Sequence, residues 1–132
     1  MKRFLLFLTI LLLFLACRSA REMSGNSDLG CTYQLQRLKA TSSDSALIFG
    51  KILLLKDPSD TDNFEKVVRI DDQVFKTNIY GVYRIKLAPG IYHITGVAMS
   101  YNPMEIPNVH LQQGDSIKIN FAITANTEPL HD

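Results

Sequence analysis

Tryptophan is absent from this 132-residue chain, cysteine occurs only twice, and 14 Lys and Arg nearly balance 13 Asp and Glu. Each shortage narrows what the chain can do. Without tryptophan, any surface that stacks on sugar rings has to draw on tyrosine. Two cysteines cannot build a disulfide framework. A formal charge of +1 supplies no basic field of the kind that nucleic-acid binding needs. Neither His93 nor His110 has a Glu three positions later, and His131 lies in the tail, which excludes the H-x-x-E pair of a zinc peptidase. The acidic stretch Asp57, Asp60, Asp62, Asn63, Glu65 lacks the fixed spacing and central Gly of an EF-hand and reads as a solvated loop. No nucleophile elbow surrounds Ser116, and there is no glycine-rich phosphate loop. The sequence therefore nominates no catalytic residue, no metal ligand and no cofactor, and the chain reads as a non-enzyme.

Long hydrophobic runs are also missing, with one exception. Thirteen uncharged residues from Phe4 to Ala16 follow Lys2 and Arg3, the layout of a secretory signal. At 1.5 Å per residue they span about 20 Å, short of the roughly 30 Å needed to cross a bilayer. The run ends in Phe14-Leu15-Ala16-Cys17, which resembles a bacterial lipobox in its last two positions and departs from it in the first two. The resemblance implies cleavage of residues 1–16 and lipid attachment at Cys17, hence a lipoprotein of the cell envelope, with the outer membrane of a Gram-negative bacterium as the expected location. Several acyl chains hold a protein on a membrane where one chain does so only marginally. Losing Lys2 and Arg3 leaves twelve basic and thirteen acidic side chains. Lipidation of Cys17 deprives Cys31 of an internal partner, so Cys31 is either inert or pairs between molecules; without lipidation, a Cys17–Cys31 bridge is the competing reading.

Residues 17–45 are rich in Ser, Gly, Asn and Asp, with an apolar interruption at Tyr33, Leu35 and Leu38. This composition reads as a lipidated N-terminus and tether, about 30 Å in reach if flexible. No helical stripe of useful length follows. Instead, short runs rich in β-formers predict strands over 46–55, 64–70, 73–78, 82–87, 90–98, 104–111 and 115–124, separated by breaks such as Asp71-Asp72, Pro89-Gly90 and Asn102-Pro103. Seven strands at this spacing suit an all-β, seven-stranded Greek-key sandwich over 46–124, with 125–132 as a tail.

Within it, Ala88-Pro89-Gly90-Ile91 has the chemistry of a type II turn, proline setting the first central dihedral and glycine supplying the positive φ of the second. Period-two counting puts Tyr83, Ile85, Leu87, Tyr92 and Ile94 inside. The run Thr77-Asn78-x-x-Gly81-x-Tyr83-x-Ile85-x-Leu87-x-Pro89-Gly90-x-Tyr92-x-Ile94 resembles the signature of carboxypeptidase regulatory-like domains, which are transthyretin-like (prealbumin-like) β-sandwiches. Ile48-x-Gly50-x-Ile52 is similar to their first strand. Asn78 stands for the usual Asp and Ser100 for the usual Gly. The resemblance implies a prealbumin-like fold and an accessory role.

Three tyrosines, Tyr33, Tyr80 and Tyr101, fall in expected loops or the tether, so Tyr80 and Tyr101 are candidate ligand contacts for a glycan- or peptide-binding module. The first predicted strand carries a second apolar stripe, Leu47, Phe49, Leu53 and Leu55, opposite its core face, where sandwich strands are normally polar. Leu47, Phe49 and Leu53 are thus candidate partner contacts, covered either by the chain's own Tyr33-Leu35-Leu38 segment or by an envelope protein. The leading expectation is a structural or protein-interaction role on a membrane held by the N-terminal lipid.

Overall fold

The computed structural model describes residues 22–38, 43–55 and 65–126. It is built of nine strands: β1 Glu22–Asn26, β2 Thr32–Leu38, β3 Ala46–Leu55, β4 Lys66–Ile70, β5 Gln73–Lys76, β6 Val82–Leu87, β7 Gly90–Ala98, β8 Met104–Leu111 and β9 Ser116–Thr124. No helix occurs among the described residues, so none there is long and apolar enough to cross a membrane. Two sheets face each other, one ordered β1-β2-β9-β3-β6 and the other β5-β4-β7-β8.

The strand count is nine rather than seven because the segment read as a tether contributes β1 and β2. β2 pairs antiparallel with β9 along its whole length, from Thr32↔Ala122 to Leu38↔Ser116, and buries Leu35, which is 2% exposed. Its composition is polar because Thr32, Gln34 and Gln36 take the outward positions, while Tyr33, Leu35 and Arg37 point inward, Arg37 donating to the His110 carbonyl of β8 at 2.8 Å. Pairing with the edge of β9 makes it a strand where local propensity does not.

The core is the union of alternating inward positions. Ile48 and Ile52 of β3, Ile117, Ile119, Phe121 and Ile123 of β9, Tyr83 and Ile85 of β6 meet Val68 and Ile70 of β4, Ile94 and Ala98 of β7, and Met104, Ile106, Val109 and Leu111 of β8. In β8 the alternation skips at Pro107-Asn108, where the register jumps between Tyr92↔Val109 and Ile94↔Ile106. Asn108 takes φ 55° there, a bulge that keeps Ile106 and Val109 on one face.

Pro89-Gly90 does not form the expected type II hairpin. Gly90 is not among the residues of positive φ, β6 pairs with β3, and β7 pairs with β4 and β8. The link carries the chain from one sheet to the other. Tyr92 secures this corner, its hydroxyl donating to the Ala88 carbonyl O at 2.6 Å, a bond back to the chain just upstream of the kind seen at sandwich corners. Sequence chemistry alone marks a sharp bend; which strands it joins is decided by sheet pairing.

Tyr83 answers a different need. The β3–β9 register stops at Phe49↔Lys118 and resumes at Ile52↔Phe121. Across the gap the Lys51 amide donates to Asn120 Oδ1 at 3.1 Å, and the Ile119 carbonyl accepts from the buried Tyr83 hydroxyl. Only glycine fits at residue 50, since a Cβ there would overlap the Ile119 carbonyl oxygen and lie 2.6 Å from its carbon. Desolvation raises the Tyr83 phenol far above the ordinary tyrosine range.

Candidate functional site

The outward positions of the five-stranded sheet form the candidate site. Along β3 they are Leu47, Phe49, Lys51, Leu53 and Leu55; along β9, Ser116, Lys118, Asn120 and Ala122; along β6, Val82, Arg84 and Lys86; along β2, Thr32, Gln34, Gln36 and Leu38. Register sets them in ranks across the sheet. Phe49 lies between Lys118 and Arg84, Leu47 between Ser116 and Lys86, and Leu53 beside Ala122. Most of them, though not Leu55, Lys86, Gln36 or Leu38, line a shallow depression of about 910 Å³. Phe49 and Leu47 are half-buried in its floor, whereas Leu53 is 50% and Val82 46% exposed.

The charge pattern is one-sided. Lys51, Arg84, Lys86 and Lys118 are exposed on this face, and no outward position of β2, β9, β3 or β6 carries a carboxylate. Glu22 of β1, in rank with Gln36 and Lys118, brings one carboxylate to the far side of the face, where it lines a second hollow together with Lys118 and Asn120. An apolar floor bordered by cations is suited to binding.

The Tyr33-Leu35-Leu38 segment does not cover this stripe. Tyr33 and Leu35 sit on the inner face of β2, in the same sheet as Leu47 and Phe49, and Tyr33 lies against Gly25 of β1. Only Leu38 points outward, at the border of the depression. The segment widens the sheet sideways, and no described residue covers its outer face.

The two candidate tyrosines part company. Tyr80 is 70% exposed at the tip of a tight turn, in which Asn78 Oδ1 accepts from the Tyr80 and Val82 amides at 2.9 Å each and Gly81 takes φ 78°. Asn78 uses only its oxygen here, so it replaces Asp without loss. Tyr101 is 6% exposed, bridges to Ala125 and belongs to the core. Its expected loop position misled because the bridge to the end of β9 is invisible locally. The pair does not form a stacking platform.

Among the described residues, no three His, Cys, Asp or Glu side chains gather where a metal ion would bind. His93 Nε2 lies 3.8 Å from Glu105 Oε1 on the surface. Cys31 is fully buried and carries a free thiol, its Sγ accepting from the Thr124 amide at 3.4 Å. The expected acidic loop, the expected signal peptide 1–16, Cys17 and the expected tail with His131 lie outside the described residues; Glu65 pairs with Lys76 at 2.9 Å. Missed by sequence reasoning were Lys51, Arg84, Lys86 and Lys118 as a set, since only register reveals that they share one face.

No protein-family model and no curated protein matches the chain. Among solved structures it is similar to a chain in the crystal structure of the Coh3ScaB–XDoc_M2ScaA complex, a C-terminal interface mutant of a type II cohesin–X-dockerin complex from Acetivibrio cellulolyticus. The match has 20% identity and a TM-score of 0.43, and covers 64% of this chain and 55% of that one.

Proposed function

We propose that the protein is a non-catalytic, lipid-anchored component of the bacterial cell envelope, of carboxypeptidase regulatory-like type, that binds a partner protein through the outer face of its five-stranded sheet. The observation that carries this reading is the open depression over Leu47, Phe49, Leu53 and Val82. An apolar sheet face left in water costs free energy that a partner recovers, at about 25 cal/mol for each Å² buried. The likeness to carboxypeptidase regulatory-like domains is supported by the work its signature residues do: Asn78 and Gly81 shape the turn, Tyr83 fills the break in the β3–β9 ladder, and Tyr92 locks the corner.

Two measurements test the proposal. A photocrosslinking side chain placed at Leu53 in cells that make the protein should capture a protein neighbour, while the same group at Val74 on the other sheet should not; absence of any adduct at Leu53 refutes the interaction face. Clickable palmitate fed to the cells should label the wild-type protein and leave Cys17→Ser unlabelled, and an unlabelled wild type refutes the anchor.

A further inference from the structure

Resting on that interaction reading, we infer that the outer face of the five-stranded sheet receives an acidic amphipathic helix from the partner protein. Four exposed cations, Lys51, Arg84, Lys86 and Lys118, border the apolar floor, and no carboxylate answers them on those four strands. The partner has to bring negative charge around an apolar ridge.

Backbone chemistry selects a helix over an extended strand. β9 is paired to both β2 and β3, and β3 is paired to β6 over Ala46–Lys51; these bonds lie in the plane of the sheet, so a strand laid across the face at Phe49 and Lys118 finds no amide or carbonyl directed at it. A strand laid there would bury its own polar backbone unsatisfied, whereas a helix satisfies its hydrogen bonds internally. The dimensions agree: Leu47 to Leu53 spans about 20 Å, and β2 to β6 about 14 Å across, room for one helix of about 13 residues and 10–12 Å diameter. A second copy of the chain would set cations against cations.

The test uses the full chain carrying Cys17→Ser and a hydrocarbon-stapled, fluorescein-labelled peptide of about 14 residues, with Leu at helical i, i+3, i+4 and i+7 positions and Glu beside them, a length that needs the staple to be helical. The Glu peptide should bind at least about tenfold more tightly than its Lys counterpart, and Leu53→Glu or Lys118→Glu should each weaken it about tenfold, with added salt doing the same. Lys118→Gln serves as a milder second variant, and circular dichroism checks that each still folds. Equal affinity for the two peptides, tighter binding of the Lys peptide, or binding of neither overturns the inference. Vesicles of phosphatidylglycerol that sediment the wild-type chain but not Lys118→Glu, with no peptide binding, also overturn it and assign the face to lipid. Should the Leu53 crosslink capture a protein while neither peptide binds, the helix is refuted and the interaction reading stands.

Discussion

Two glycines, identical in chemistry, should respond oppositely to the same methyl group. At Gly50 a Cβ would overlap the Ile119 carbonyl oxygen, lie 2.6 Å from its carbon, and sit 3.0 Å from Tyr83 Oη. Ordinary van der Waals contact starts at 3.4 Å, so Gly50→Ala forces β9 back by more than the 0.8 Å between 2.6 and 3.4 Å that the carbon alone requires, because the oxygen lies closer still. The displaced atoms are backbone in the middle of a sheet and cannot rotate away. Overpacking typically costs about 1–3 kcal/mol, and losing the Tyr83 bond to Ile119 adds about 1–3 kcal/mol more. Against a total stability of about 5–15 kcal/mol this is severe, and it corresponds to a fall in Tm above about 10 °C. At Gly90 a Cβ meets only the Tyr92 ring, at 3.5 Å, and φ is not positive. Gly90→Ala should be neutral or stabilise by up to about 1 kcal/mol by restricting the unfolded chain. Far-UV circular dichroism during urea and thermal unfolding measures both. A Gly50→Ala change below about 0.5 kcal/mol refutes the close approach of β3 to β9; a Gly90→Ala loss above about 2 kcal/mol would instead restore the positive-φ turn at Pro89-Gly90.

Tyr83→Phe should cost about 1–3 kcal/mol, because the buried Ile119 carbonyl loses its donor. Burial raises the Tyr83 phenol, so the unfolded chain holds fewer protons than the folded one above pH about 10, and stability should fall as pH rises past that value. Alkaline urea titrations should show the fall in wild type and a shallower one in Tyr83→Phe; equal slopes would remove Tyr83 as its cause. Deleting residues 22–38 strips β2 from β9 and bares a hydrogen-bonding edge, so the truncated chain should aggregate at micromolar concentration; a stable monomer by light scattering would contradict this. In a Cys17→Ser background, Cys31 should resist a thiol reagent until the protein is unfolded, and rapid labelling in native buffer would contradict its burial.

Alternation made most of the sandwich readable in the chain. Ile117, Ile119, Phe121 and Ile123 against Ser116, Lys118, Asn120 and Ala122 declare a strand and its two faces at once, and the outer stripe of β3 was visible in the same way. β1 and β2 were not, because Glu22–Asn26 offers one large apolar side chain and becomes a strand only by pairing with β2. The Pro89-Gly90 bend was legible as a bend, but a turn within one sheet and a corner between two use the same residues. The cationic border of the depression required knowing that β6 and β9 flank β3, a long-range pairing no local pattern contains.

The position of β9 also dictates when this protein can fold. Its partners on either side, β2 and β3, come from the first half of the chain, and Thr32 waits for Ala122. Until the ribosome has finished Ser116–Thr124, the larger sheet exists only as two separate hairpin-like pairs with nothing between them. At about 5–20 residues per second the emerging polypeptide spends several seconds in that divided condition. Such a chain is slow to close, because its larger sheet rests on pairings between distant parts of the sequence.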